Sequence, residues 1–265
     1  MRVNVLKKLI ATLPCSVFLA LLLLTGCVSN PTVVEEQKFN FLEKTLEKSA
    51  PTVILSHGSD CDTRHASDFA TKLNDWGYNA IVLNHCVRRG IFSHIGRAGY
   101  LSPWDRTEDY FKIASWIKKQ KYHSGKIAVI GWSQGGSGVI AASDYQIQRN
   151  LGMKDEDINL IDAFVAYYPG CDLATLPNKA ERPFLIHHGV KDSLALIVKC
   201  PYDRLKDPNY KILKYADAGH SFDMPGPDAM ACREPIGCYK SREYSSPAHK
   251  KSNDETKRFL DEHLK

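Results

Sequence analysis

Lys126-Ile127-Ala128-Val129-Ile130-Gly131-Trp132-Ser133-Gln134-Gly135-Gly136 decides how this chain is read, because an apolar, β-branched run meets a Gly-x-Ser-x-Gly turn there. Ile127 to Ile130 predicts a buried strand. The turn must reverse into a helix so tightly that Ser133 is held strained, with its hydroxyl exposed. Gly131 and Gly135 permit this, since a side chain at either would collide with the adjoining strand or helix. A helix from about Gln134 to Gln148 follows and aims its N-terminal partial charge at the same place, favouring a developing oxyanion. Gly-rich strand-helix turns also cradle phosphates, so a role for Ser133 needs partners elsewhere in the chain.

Outward from that turn, apolar runs alternate with helical patterns. Thr52 to Ser56 reads as a buried strand, and Thr63 to Trp76 as a helix with Phe69, Leu73 and Trp76 on its apolar side. Asn79 to Asn84 is the next strand. A long irregular loop, Cys86 to Ser102, leads into a helix from about Pro103 to Lys119. Ile161 to Tyr168, Phe184 to His187 and Tyr210 to Tyr215 are further strands, and a helix over about Ser252 to Leu264 turns Phe259 and Leu260 inward. Glu35 to Lys48 is charged and fits a helix or an edge hairpin equally well. This alternation predicts an α/β domain with a mostly parallel, doubly wound sheet and helices on both faces. Ligands in such sheets bind outside the carboxyl ends of the strands.

Three strand ends carry the chemistry. His57-Gly58-Ser59 directly follows the first parallel strand; His57 is read as structural, fixed by backbone hydrogen bonds. Asp192, in Gly189-Val190-Lys191-Asp192, lies just past a buried strand, where a carboxylate can orient an imidazole; Asp172 and Asp203 are its rivals. His220, in Ala218-Gly219-His220-Ser221-Phe222, follows the last strand, where a general base must sit to reach Ser133. His187 and His188 suggest a metal, but neighbours on a strand point to opposite faces.

The chain order Ser133, Asp192, His220 matches that of α/β-hydrolases. From about Pro51 to Leu264 the sequence resembles the dienelactone hydrolase family within the α/β-hydrolase superfamily, through His57-Gly58, Gly131-Trp132-Ser133-Gln134-Gly135-Gly136, Gly189-Val190-Lys191-Asp192 and Ala218-Gly219-His220-Ser221-Phe222. The resemblance implies an α/β-hydrolase domain over 51–265, with too few residues before it for a full set of early strands. It implies a catalytic Ser133-His220-Asp192 triad and an oxyanion hole made by N–H groups of Ser59 and Gln134. Gly58, Trp132 and Tyr100 are the expected substrate contacts. The reaction implied is acyl transfer from a small-molecule carboxylic ester or lactone to water, with no metal and no cofactor. Dienelactone hydrolases proper use a cysteine nucleophile where this chain has Ser133, so the resemblance speaks to fold and mechanism rather than to substrate. A serine peptidase on the same fold would need an anchor for a peptide amine. A non-catalytic envelope lipoprotein retaining the fold would have no need of an intact triad.

The N-terminus reads as an export signal. Arg2, Lys7 and Lys8 precede the apolar run Leu9 to Leu24. Leu24-Thr25-Gly26-Cys27 resembles the bacterial lipoprotein signal, which would remove residues 1–26 and place lipid on Cys27. Residues 27–50 would then be a tether and N-terminal segment, and the protein would be anchored in the bacterial cell envelope, at the outer membrane in a Gram-negative cell. Setting aside Cys15 and Cys27, the remaining cysteines are Cys61, Cys86, Cys171, Cys200, Cys232 and Cys238. In an exported chain they suggest disulfides. Proximity favours Cys232 with Cys238, and Cys61 and Cys86 each follow a probable neighbouring strand, which leaves Cys171 with Cys200. No two of these show a C-x2-C spacing, which disfavours zinc. The formal charge of +5 falls further once the basic leader is removed, too balanced to argue for nucleic acid as a partner. The stretch Phe222 to Ser246, rich in proline and holding Cys232 and Cys238, is read as a stapled flap beside His220 or a surface excursion.

Overall fold

A computed structural model describes residues 41–45, 49–91, 101–233 and 237–265. The expected signal at 1–26, Cys27, most of the 27–50 tether and Tyr100 lie outside the described residues. The strands of the main sheet are β1 (Phe41–Lys44), β2 (Ala50–Ser56), β3 (Asn79–Leu83), β4 (His123–Trp132), β5 (Ala163–Tyr167), β6 (Phe184–Gly189) and β7 (Tyr210–Tyr215). They lie in the order β1-β3-β2-β4-β5-β6-β7. All pair in parallel except β1, which runs antiparallel along β3 at the edge. Of the charged segment from Glu35 to Lys48, the described residues Phe41–Lys44 form an edge strand, Phe41 opposite Leu83.

Helices cover both faces: α1 (Arg64–Asp75), α2 (Pro103–Ile117), α3 (Gln134–Ala142), the short α4 (Tyr145–Asn150) and α5 (Asp155–Ile158), and α6 (Ser246–Leu264). The strand pleat sends alternate side chains to opposite sides. Ile54, Ile127 and Val129 pack with Tyr110, Ile113 and Ile117 of α2 and Val139 and Ile140 of α3. Val53, Leu55, Ala128 and Ile130 pack with Phe69 and Leu73 of α1 and Phe259 and Leu260 of α6. Strands buried on both sides must be apolar throughout, which is why the sequence shows runs there rather than polar alternation. Each fully buried Leu, Ile or Val contributes about 1.5–3 kcal/mol.

Helix boundaries differ from those expected in two places. The helix after Ser133 stops at Ala142 instead of running to Gln148, because the Asp144 side chain accepts from Gln146 N at 2.8 Å and caps a new helix. α6 begins at Ser246, earlier than Ser252, because Pro247 is harmless in a first turn, where its missing N–H would have no partner. α2 opens where expected, with a capping box between Ser102 and Asp105 and Pro103 in its first turn.

Three disulfides join Cys61 to Cys86, Cys171 to Cys200 and Cys232 to Cys238, the pairing expected. The third joins the two strands of a separate hairpin, β8 (Ala229–Arg233) with β9 (Gly237–Arg242), within the stretch from Phe222 to Ser246. Among the described residues no helix is long and apolar enough to cross a membrane.

Candidate active site

The carboxyl ends of β2, β4, β6 and β7 converge. Ser133 follows β4 with φ 53° and ψ −118°, a conformation that costs a non-glycine residue on the order of 1–3 kcal/mol. The surroundings enforce it. Ser133 N donates to Tyr167 O at 2.9 Å, and α3 starts at the next residue. A Cβ on Gly135 would lie 2.5 Å from Ser56 O, and one on Gly131 would overlap the Gly135 carbonyl. The two glycines are required by the close approach of the turn to β2 and to its own helix, as their spacing predicts.

His220 Nε2 lies 3.0 Å from Ser133 Oγ, and His220 Nδ1 lies 2.7 Å from Asp192 Oδ2. The other Asp192 oxygen, Oδ1, accepts from Leu194 N at 2.9 Å and Ala195 N at 2.8 Å. With both oxygens engaged, the carboxylate fixes the imidazole with a proton on Nδ1 and leaves Nε2 free to accept from the serine. His220 and Asp192 are buried. A hydroxyl, an imidazole and a carboxylate so joined can move a proton off Ser133 Oγ while stabilising the imidazolium that results.

The rival carboxylates are elsewhere. Asp172 pairs with Lys199 at 3.3 Å and Asp203 with Lys214 at 3.2 Å, both at the surface. His187 and His188 point to opposite sides, as expected. His187 bonds Tyr215 Oη and Thr256 Oγ1, and His188 bonds Tyr202 Oη and the Ala195 carbonyl.

The relay opens on a cavity of about 450 Å³. Gly58 and Ser59 border it, and a Cβ built on Gly58 would sit 3.7 Å from Ser133 Cβ, so the loop after β2 lies against the serine. Gln134 is buried at the start of α3, and its side chain turns away from the cavity, accepting from Arg106 and donating to Leu101 O at 3.1 Å. The β8–β9 hairpin forms another wall. Ala229, Ala231, Cys232, Tyr239, Ser241 and Arg242 line the cavity, while Met230 is exposed.

Trp132, an expected substrate contact, borders the cavity, yet the residue is only 1% exposed. It stacks on Tyr167 at 5.6 Å and donates from Nε1 to Asp223 Oδ2 at 2.8 Å, so it belongs to the core under the site. Asp223 went unnoticed in the sequence. It is buried and also accepts from Tyr168 Oη at 2.8 Å and bonds His65 Nε2 at 3.0 Å. Burial alone would raise its carboxyl, but the charge of His65 and the bonds from His65, Tyr168 and Trp132 hold it down at about 2. It lies three residues past His220, the one clue the sequence offered.

Beneath the loop after β2 lies a second set of polar groups. Ser56 Oγ is 3.0 Å from His85 Nε2, and His85 Nδ1 is 2.7 Å from Asp109 Oδ2. Ser56 is wholly buried, so this Ser-His-Asp chain cannot meet a substrate. Burial pushes His85 down to about 4. His57 is structural, as expected: its Nε2 accepts from His85 N at 3.1 Å and its Nδ1 lies 2.7 Å from Gly58 O.

Several solved structures share this architecture. The chain superimposes on a dienelactone hydrolase from Anabaena variabilis with a TM-score of 0.57 at 15% identity, over 85% of this chain and 99% of that one. It superimposes on the carboxylesterase Cest-2923 from Lactobacillus plantarum with a TM-score of 0.61 at 15% identity, over 84% and 92%. Est1E from Butyrivibrio proteoclasticus, solved with ferulic acid bound, gives 0.54 at 16%, over 85% and 95%. At these identities the likeness establishes the α/β-hydrolase fold. A comparison with curated proteins finds no match. Residues 43–264 match the dienelactone hydrolase family throughout, from the edge strand β1 to the end of α6, and the chain belongs to that family.

Proposed function

We propose that this protein is a serine hydrolase that cleaves small carboxylic esters or lactones through an acyl-enzyme. The observation that carries the reading is the hydrogen-bonded path Ser133 Oγ, His220 Nε2, His220 Nδ1, Asp192 Oδ2 at the floor of a cavity. Ser133 Oγ attacks the ester carbonyl carbon while its proton passes to His220 Nε2. Asp192 holds the ring and its positive charge, and the N–H groups of Ser59 and Gln134 receive the oxyanion. The imidazolium then protonates the leaving alkoxide as the C–O bond breaks. A water molecule, deprotonated by His220, attacks the acyl carbon and releases the acid and the free serine.

The lipid anchor also belongs to this proposal. The motif at Cys27 supports it, and three disulfides suit an oxidising compartment outside the cytoplasm. One observation favours peptide substrates as a second reading: Asp60 and Asp62 border the cavity, where carboxylates could meet a peptide amine, although Asp62 already pairs with Arg64. A panel of p-nitrophenyl acetate, p-nitrophenyl butyrate and aminoacyl-nitroanilides separates the two. Ester turnover without nitroanilide cleavage is the expected result; rapid nitroanilide cleavage would replace the esterase reading with the peptidase one, and a folded protein inert to both would overturn each.

A further inference from the structure

The relay leaves unused a guanidinium directly beneath the loop that carries Gly58 and Ser59. Arg106, on α2, is wholly buried. Its Nη1 donates to His57 O at 2.9 Å and to Ser56 Oγ at 3.2 Å, and its Nη2 donates to Gly58 O at 3.1 Å and to Gln134 Oε1 at 3.0 Å. One side chain therefore ties the end of β2, the loop after it and the first residue of α3. These acceptors are neutral oxygens. Keeping a cation buried among them is costly, and an apolar side chain of similar volume would often serve stability as well.

The Gly58 carbonyl shows what the arrangement accomplishes. A trans peptide is planar, so its C=O and N–H point in opposite directions, and whatever holds Gly58 O aims the N–H of Ser59. Two groups hold it. One is Arg106 Nη2; the other is His57 Nδ1, which carries the proton because His57 Nε2 accepts from His85 N. The same Arg106 nitrogen also grips Gln134, whose backbone N–H is the other oxyanion donor of the mechanism above. We propose that Arg106 is a positioning residue for the oxyanion hole, locking the Ser59 and Gln134 amides onto one point beside Ser133 and placing a buried positive charge behind them. This rests on the serine-hydrolase reading. In a site shielded from water, such a charge and such fixed dipoles act strongly on an anion that exists only in the transition state.

The test compares wild type, Arg106→Met and Arg106→Lys, with active sites counted by fluorophosphonate titration. Rates are taken per titrated site with p-nitrophenyl butyrate, and butylboronic acid, which forms a tetrahedral anionic adduct on a serine, probes the oxyanion hole. For Arg106→Met, kcat per site should fall on the order of 10²-fold, KM should stay within about twofold, and the boronate Ki should weaken in step with kcat. Arg106→Lys keeps the charge without the fork of donors and should fall between. A role in stability alone would lower the number of titrated sites and leave kcat per site and Ki unchanged; that result overturns the proposal. Should the Arg106 variants fail to fold, Gln134→Glu gives the guanidinium a carboxylate to hold. It should lower kcat per site and weaken boronate binding by about tenfold, and unchanged values would overturn the proposal equally. A wild-type protein that neither turns over ester nor takes up the probe overturns the serine-hydrolase reading and this one with it, whereas active wild type with unaffected variants overturns this one alone.

Discussion

Ser133→Ala should lower kcat/KM for a p-nitrophenyl ester by roughly 10⁵-fold or more, with folding unaffected. The size follows from what is removed. Among the described residues the hydroxyl bonded to His220 Nε2 is Ser133 Oγ, at 3.0 Å, and the buried Ser56 cannot replace it. The remaining N–H donors can still favour attack by water on a bound ester, so a residual rate some 10³-fold above the uncatalysed one is expected. Alanine accepts the strained backbone of residue 133 about as well as serine, so the midpoint of thermal unfolding should hardly move. Steady-state rates alongside circular dichroism make the check. A loss below tenfold would mean that another group carries the reaction.

Asp192→Asn should cost about 10⁴-fold in kcat at neutral pH, and the hydrogen bonds say why. Asp192 Oδ1 accepts from two backbone amides, Leu194 N and Ala195 N, which would claim the amide oxygen of an asparagine. Its NH2 group is then left facing His220 Nδ1, a donor against a donor. The ring responds by moving its proton to Nε2, where it points at Ser133 and can no longer accept. Geometry is nearly preserved and the chemistry is lost. Asp172→Asn and Asp203→Asn are the controls. Both residues sit in exposed pairs with lysines, and their rates should stay within about twofold of wild type. Measured kcat for the three variants decides which carboxylate serves His220.

What the sequence made legible was the local structure that depends on neighbours along the chain. The Ile127 to Ile130 run, the two turn glycines and the strand ends at Ser56, Gly189 and Tyr215 are local signals, and the sheet brings those ends together by a general rule of parallel topology. The Cys61–Cys86 pairing followed from the same strand adjacency, Cys232–Cys238 from closeness along the chain, and Cys171–Cys200 as the pair left over. What stayed hidden depends on contacts far apart in sequence. Arg106 looks like one more charge on a helix exposed to solvent, and only the fold brings it under His57 and Gly58, nearly fifty positions earlier. Asp223 looks like a loop residue until Trp132 and Tyr168 close over it. Trp132 could face ligand or core with equal ease, and Tyr167, beneath it on β5, decides for the core. The break after Ala142 turned on a single cap at Asp144, a competition between helix and local side-chain bonding that periodicity does not register.

The most direct test of the Ser133-His220-Asp192 account is labelling of the folded protein with a fluorophosphonate, followed by mapping of the modified peptide by mass spectrometry. Only an activated hydroxyl reacts rapidly with such a probe. The account predicts one adduct, on Ser133, absent from Ser133→Ala and strongly slowed in Asp192→Asn. A folded protein that takes up no probe, or takes it up at another residue while Ser133 stays free, would contradict it.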